Sequence, residues 1–411
     1  MNQKCYSCHS NDRRLSWFDE IQPGYWLVRR DILAARSRLN FSTLGSQPAA
    51  VQKGTLYEAV NMIQLGAMPL PRFLALHPDA KVTAQELIVL KSYLSPWSNQ
   101  TDAAEAKTSA DAVGVPTPMV SLAEAPPEHN GLTMDPGIGD WKLISITDRG
   151  DNNTLRLILG NEVAMRAIQS GNILPWPDGA KIAKVAWQKQ RGVDGMVVPG
   201  KFVQIELMAK DAQVYGATEG WGWGRWRGPT LQPYGVSATY VQECTGCHMP
   251  VKGNDNVYTL PISQAKVDRQ EIVNNAAAAL PGTLPYQPLG WTPITMSVDS
   301  VNESVAVLFG NAAAAKQIKN YSKGPPELQM AYPEGSVLAL VTWHQRDDPH
   351  WFGARIPSNP EAVEFLIVGA KPAIGYKRFQ GRLLSPASEN AAVSNERTKL
   401  ILGLVPAQYP H

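Results

Sequence analysis

Cysteine is scarce in this chain and none is spare. Four cysteines occur in 411 residues, Cys5, Cys8, Cys244 and Cys247, and both pairs lie inside Cys-x-x-Cys-His sequences, which leaves none for disulfides. Charge of one sign is also lacking. Lys and Arg total 38 against 36 Asp and Glu, a net charge of +2, so nothing demands nucleic acid or an anionic membrane as partner. No apolar run approaches the roughly 20 residues that span a bilayer. Histidine is rare at seven. What is plentiful is turn chemistry: 33 glycines and 32 prolines suggest many short elements rather than a helical rod. The length suffices for two or three domains, each with its own core.

The two cysteine pairs carry the first chemistry. Cys5-Tyr6-Ser7-Cys8-His9 and Cys244-Thr245-Gly246-Cys247-His248 each place two thiols across two intervening residues. That spacing suits addition to the two vinyl groups of a haem, with the next histidine as axial iron ligand. A lone Cys-x-x-Cys reads equally as a redox dithiol or half a zinc site. Histidine after both pairs argues against those readings, because chance places it there only about 2% of the time. Two covalent c-type haems are therefore expected. Covalent haem attachment in bacteria goes with export, so the expected location is the periplasm. The chain starts Met1-Asn2-Gln3-Lys4 with no signal peptide before Cys5, as a form with its targeting segment removed would.

Residues 1–97 read as a small helical domain. Apolar residues recur at helical spacing around Trp26, Leu27, Ile32 and Leu33, again over 56–65, and again over 84–94. Thr83 with Glu86 three residues on forms a capping box. Between the last two runs, Met68 precedes Pro69. A Met-Pro downstream of Cys-x-x-Cys-His and ahead of a final helix resembles the axial methionine loop of class I cytochromes c. Asn11, Trp17, Trp26-Leu27-Val28 and Leu39-Asn40-Phe41-Ser42 resemble, more narrowly, the bacterial haem-binding domain family of periplasmic cytochromes. That resemblance implies His9 and Met68 as axial ligands, with Met62 or His77 as substitutes for Met68. A thioether ligand raises the potential and closes the sixth position, which suits electron transfer. Met68 as core filler is the competing reading.

Residues 98–134, rich in Ala, Asp, Thr and Pro, read as a linker that is mobile or laid on the surface, with His129 solvated. From Trp141 the period changes to strands over 141–147, 154–159, 181–188 and 202–208, with a helix over 161–170. The pattern then recurs. Trp141, Gly160-Asn161 and Ile168 match Trp291, Gly310-Asn311 and Ile318 at a shift of 150 residues. Pro177-Asp178-Gly179 and Trp187 match Pro333-Glu334-Gly335 and Trp343 at 156, and 205–208 match 363–366 at 158. Small growing offsets are what loop insertions give, so two copies of one β-rich domain are expected. They would cover 135–263 and 287–411 with a linker over 264–286, and the second copy, lacking cysteine, could hold no covalent haem. The fold class is then α+β multidomain: an all-α cytochrome c-like haem domain followed by two tandem, mainly antiparallel β domains.

Asp140-Trp141-Lys142, Gly160-Asn161, Pro177-Asp178-Gly179, Lys210-Asp211, Gly220-Trp221-Gly222 and the late Cys-x-x-Cys-His make 136–262 resemble the cytochrome P-460 family. Its members oxidise hydroxylamine, and its relatives, the cytochromes c prime beta, bind nitric oxide. The resemblance implies a mainly antiparallel fold, a five-coordinate haem at His248, and dimerisation, here as a pseudo-dimer inside one chain. A haem-less domain that docks an unrelated partner is the alternative for the second copy. In the family a lysine five residues after the turn glycine is crosslinked to the porphyrin, and Lys184 stands there. Alternation puts Lys184 on one strand face with Ile182 and Ala186, where a cation needs a partner, a lowered pKa or a covalent fate. If that face is solvated, Lys184 is ordinary surface. The cysteine-free copy has Leu340 at the matching place. The family's distal carboxylate lies four residues before the Lys-Asp pair, at Glu206, with Gln204 and Met208 on its face. It would take protons from bound hydroxylamine if burial raises its pKa toward neutrality. Glu364 stands at the matching place in the other copy, which equally suits a residue that holds the fold.

Met249 reads as packing, and Trp221, Trp223 and Trp226 as core around the haem. His344 and His350 suggest a metal site, but no third ligand is evident. The function these features imply is a periplasmic dihaem oxidoreductase. Hydroxylamine or a related small nitrogen species would be oxidised at the second haem, and electrons would leave through the first to a soluble carrier such as a cytochrome. A non-catalytic cytochrome that transfers electrons or binds nitric oxide is the alternative, and peroxide reduction with reversed current a third.

Overall fold

The computed structural model describes residues 4–12, 21–22, 24–99, 119–192, 194–267, 273–321, 332–370, 374–388 and 390–410. Trp17 and the linker residues 101–105, Pro116 and Pro118 lie outside them.

The helical domain comprises α1 (Tyr6–His9), α2 (Gly24–Arg38), α3 (Phe41–Leu44), α4 (Ala49–Gln64), α5 (Pro71–Leu76) and α6 (Ala84–Asn99). The Thr83–Glu86 box forms as expected. The Glu86 carboxylate accepts from the Thr83 N–H at 2.7 Å, and the Thr83 hydroxyl accepts from the Glu86 N–H at 3.2 Å. α4 and α6 meet through Tyr57, Val60 and Leu94, with the Tyr57 hydroxyl donating to the Leu94 carbonyl at 2.7 Å. The apolar spacing of α2 does not translate into burial. Ile32 is buried, but Trp26 is 64% and Leu33 59% exposed.

The rest is built on one antiparallel sheet. Its first half runs β1 (Lys142–Arg149), β2 (Thr154–Gly160), α7 (Glu162–Ser170), β3 (Lys181–Arg191), β4 (Val197–Lys210), β5 (Trp221–Arg227), β6 (Gln232–Pro233) and α8 (Val241–His248). Its second half runs β7 (Thr292–Asp299), β8 (Ser304–Gly310), α9 (Ala312–Tyr321), β9 (Val337–Asp347), β10 (Ala354–Val368), β11 (Ile374–Gln380), β12 (Ser385–Ala387) and α10 (Ala391–Leu402). Each strand expected from alternation is present, and Asn161 caps α7 by accepting from the Ala164 N–H. The pairing registers of the halves correspond. Lys142 faces Gly160 as Thr292 faces Gly310, and both pairs shift register one residue on, at Leu143/Ser145 and Pro293/Thr295.

Two short joints link the halves. Val197 at the start of β4 pairs with Val298 near the end of β7, and Arg355 and Ala354 at the start of β10 pair with Asp148 and Arg149 at the end of β1. The path β1-β2-β3-β4-β7-β8-β9-β10 thereby returns to β1 as a closed ring, with β5, β6, β11 and β12 outside it. Inward side chains of both halves fill a single core, including Leu157, Val185, Trp187 and Ile205 from one and Val307, Val341, Trp343 and Phe365 from the other. The two halves therefore share one sheet and one core. Offsets in sequence reveal repeated elements but not which strands join across them.

The expected linkers are also drawn into this core. Leu122 and Met134 are buried, the Val120 N–H donates to the Pro229 carbonyl at 2.9 Å, and Trp226 Nε1 donates to the Pro126 carbonyl at 2.8 Å. Residues 119–134 are therefore a belt on the ring rather than a mobile tether. In 264–286, Ala278 and Leu284 are core residues, and the Ala278 carbonyl accepts from Trp343 Nε1 at 2.8 Å. Among the described residues no helix is long and apolar enough to cross a membrane.

Candidate haem centre

Outside the ring, the first half builds a second apolar cluster from Ile144, Ile158, Ile182, Trp221, Trp223, Tyr240 and Cys244. Alternation along β5 explains its walls: Trp221, Trp223 and Arg225 point to this side, while Trp226 turns into the ring core. Two of the three tryptophans therefore line this cluster and the third lies in the ring core. α8 closes the cluster. Cys244 and Cys247 lie three residues apart on it and share a face. Burial raises both thiols, Cys244 to about 11.

His248, at the end of α8, is oriented on three sides. Its Nδ1 donates to the Asn256 carbonyl at 2.7 Å, the Trp223 ring lies 4.5 Å from its centroid, and Tyr258 meets it edge-on at 5.1 Å. Burial pushes its pKa down to about 4, so the imidazole is neutral near pH 7, with Nε2 the atom that could ligate a metal. The carbonyl that holds it is itself braced. Asp255 and Asn256 take left-handed backbone conformations, at φ +48° and +63°. The Asp255 carboxylate accepts from Lys210 Nζ at 2.8 Å and from the Trp176 N–H at 2.9 Å, and its carbonyl accepts from Trp221 Nε1 at 2.8 Å. Lys210 of the Lys-Asp pair thus braces the loop that holds His248. The sequence offered no signal for Asn256, whose contribution is a backbone carbonyl.

Lys184 and Glu206 sit opposite each other on β3 and β4 and form an ion pair. Glu206 is further held by Arg225 Nε at 2.9 Å and by Gln204 Nε2 at 2.7 Å. Burial lowers Lys184 to about 8, with Glu206 opposing that shift. Burial pushes Glu206 up, but Lys184, Arg225 and Arg156 together overcome it and hold the carboxyl well below its usual range. This corrects the expected rise toward neutrality. The three cations come from three strands, which alternation within β4 could not show. Lys184 and Glu206 also act electrostatically on both Cys247 and His248, so the structure brings the pair and the cysteine motif to one site.

The donor set fits a covalently held haem. It offers two thiols on one helix face, a neutral imidazole with its Nδ1 occupied, and an apolar wall in which Trp223 Nε1 is buried without a hydrogen-bond partner among the described residues. The first motif repeats the arrangement. His9 Nδ1 donates to the Leu39 carbonyl at 2.9 Å, and Tyr6 stacks on Phe41 at 4.9 Å. Ser10 and Ser42 hydroxyls meet at 2.9 Å, which explains why Leu39-Asn40-Phe41-Ser42 accompanies the motif. The exposed apolar residues of α2 suit a domain whose core includes a porphyrin. Met68 lies in the turn after α4, its N–H donating to the Met62 carbonyl at 3.1 Å. Met62 is buried core, and His77 stacks on Phe73 at 4.3 Å.

The corresponding place in the second half is closed by protein. Leu340 faces Leu308 and Glu364 as Lys184 faces Ile158 and Glu206. There Glu364 is held by Arg397 of α10 through two bonds, at 2.8 and 2.6 Å, and by the Tyr376 hydroxyl at 2.5 Å. Ile401 of α10 packs in one cluster with Leu340 and Leu366. His344 and His350 are not brought together: His344 is exposed near Glu361, while His350 Nδ1 bonds the Tyr258 carbonyl at 2.8 Å. No group of three or more His, Cys, Asp or Glu placed to hold a metal ion occurs among the described residues. Met249 is exposed at the end of α8, and His129 is exposed with Nε2 3.2 Å from the Gly235 carbonyl.

Comparison with known proteins supports this chemistry. Residues 137–259 match the family model for cytochrome P460, and residues 1–96 match that for a haem-binding domain. No curated protein matches the chain.

Proposed function

For a haem-dependent c-type cytochrome that joins a haem-binding domain to a cytochrome P460 segment, we propose a dihaem oxidoreductase acting on hydroxylamine or a related small nitrogen species. Cys244, Cys247 and His248 would hold the working haem, and Cys5, Cys8, His9 and Met68 the one that would receive electrons. The observation that carries this reading is the Lys184–Glu206 pair beside α8, at a place where the second half has Leu340.

A bound haem would supply a redox-active iron able to take electrons from the substrate. The chain's own residues do the rest. Burial keeps His248 neutral and the Asn256 carbonyl fixes its Nδ1, so it would present Nε2 alone. Lys184, brought to about 8, reaches its neutral, nucleophilic form near physiological pH, as bonding to a porphyrin edge carbon would require. That carbon's C–H bond would be replaced by C–N, with two protons lost and two electrons passed to a peroxide-class oxidant. Arg225 and Gln204 both fix Oε1 of Glu206, which would accept protons from hydroxylamine as it is oxidised. The two roles are coupled. Once Lys184 is bonded its ammonium charge is gone, one of the cations depressing Glu206 disappears, and the carboxylate becomes a stronger base.

The two halves of the sheet are tandem copies of one P460-like domain, a pseudo-dimer whose second member is haem-free. The matched registers at Lys142/Gly160 and Thr292/Gly310 and the protein-filled counterpart site around Arg397 and Ile401 support this. The electrons pass to a soluble carrier in the periplasm, the compartment that covalent haem attachment in bacteria calls for.

One observation favours a second reading. Glu364 keeps the place of Glu206 in the half without cysteines, as a fold-holding residue would. The protein would then be a non-catalytic cytochrome for electron transfer or nitric oxide. Rapid mixing of the ferric protein with hydroxylamine separates the two. We expect reduction of the His9 haem by electrons entering at the other centre. Two ordinary c-type spectra without any ferric response would leave only the second reading.

A further inference from the structure

The loop between β9 and β10 belongs to the half that carries no cysteine, yet it lies between the two haem-binding motifs. From the second motif, an aromatic file runs outward: His248 meets Tyr258 at 5.1 Å, and Tyr258 meets Trp351 at 5.4 Å. Trp351 is pinned by the Arg149 guanidinium 4.3 Å above its ring and by Nε1 donating to Asp151 at 3.2 Å. The next residue, Phe352, stacks on Tyr57 of α4 at 5.2 Å and 15°.

The helical domain grips the same loop by its backbone. Asn61, fully buried, accepts from the Phe352 N–H at 2.6 Å through Oδ1 and donates to the Phe352 carbonyl at 3.1 Å through Nδ2. Gln64 Nε2 donates to the Pro349 carbonyl at 3.0 Å. Gly353, at φ +85°, leaves room for Tyr57, whose ring would lie 2.5 Å from an added Cβ. One residue beyond Tyr57, Glu58 pairs with Arg38 at 2.5 Å, and both act electrostatically on Cys247. Arg38 precedes Leu39, whose carbonyl holds His9. The first half has Gly192-Val193-Asp194-Gly195-Met196 in the corresponding loop, with no aromatic residue.

We propose that loop 348–353 is the dock that holds the helical domain against the proximal side of the His248 centre, and that electrons pass between the two centres across this contact. The haem-free half thereby supplies the joint between the two redox sites. In the transfer one electron leaves the reduced iron held by His248 and reduces the oxidised iron held by His9. No bond is made or broken, no proton moves, and the rings serve as packed medium without being oxidised. The electron-transfer part rests on the two-haem reading of the preceding section, whereas the docking part does not.

The test uses the full, haem-loaded chain with Asn61→Leu, which removes the backbone clamp, and separately with Phe352→Leu, which keeps apolar bulk but loses the stack. Haem is counted first by absorbance and intact mass. X-ray scattering then gives the particle radius, and photoreduction followed by spectroscopy gives the rate of electron equilibration between the centres. We expect a larger radius in Asn61→Leu, a smaller change in Phe352→Leu, and severalfold slower equilibration in both. An unchanged radius in both variants overturns the dock. An enlarged radius with an unchanged rate overturns the electron route. If only one haem per chain is found, the two-haem reading fails, and the radius alone still decides the dock.

Discussion

At the scale of single residues, Glu206 decides how the site responds to pH. Its carboxylate is shared by Lys184, Arg225 and Gln204, so removing its charge strands two half-buried cations. Glu206→Gln should cost about 3 kcal/mol at pH 7, measured by denaturant unfolding, as for breaking a buried pair from one side. The pH sign follows from a folded pKa held below the usual 4.5. The pair's stabilisation is fully present above pH 4.5 and is lost as pH falls below it, and the glutamine variant should lack that part of the acid limb. A variant as stable as the parent at pH 7 would remove Glu206 from the centre of this network. The face shared by Lys184, Ile182 and Ala186 was legible in the sequence, because strand alternation has a fixed period. The direction of the Glu206 shift was not, because Arg156 and Arg225 reach it from other strands.

At the scale of elements, the loop after α8 matters more than α8 itself. Lys210 on β4 braces Asp255, and the neighbouring Asn256 carbonyl polarises His248. Lys210→Met should weaken that hydrogen bond and lower the iron–histidine stretching frequency in resonance Raman spectra of the reduced protein. An unmoved band would mean that Asn256 holds His248 without the strut. In the helical domain, Thr83→Ala removes a cap seen on both sides, and it should destabilise that domain by about 1 kcal/mol in thermal unfolding. Caps and strands were readable because they depend on neighbours in sequence. The burial of α2 was not. Trp26 and Leu33 keep helical spacing yet remain exposed, since periodicity assumes that a protein face will cover it.

At the scale of the whole molecule, the offsets in the sequence suggested two copies but could not say which strands join them. The joints Val197–Val298 and Asp148–Arg355 rest on strand ends that no offset identifies, and they make one core of two halves. A fragment of residues 119–263, freed from the second half, exposes the apolar edge of that core. It should therefore dimerise or aggregate, and light scattering after size exclusion would show this. A stable, folded monomer would mean that the halves are independent domains after all.

The proposed working centre stands or falls on Lys184. The denatured, haem-loaded protein should be digested and the haem peptide containing Cys244, Cys247 and His248 weighed. We expect its mass to include the peptide carrying Lys184, joined through an added bond to the same porphyrin. If the Lys184 peptide is instead recovered free and unmodified, the proposed working centre is contradicted, and an ordinary c-type haem stands in its place.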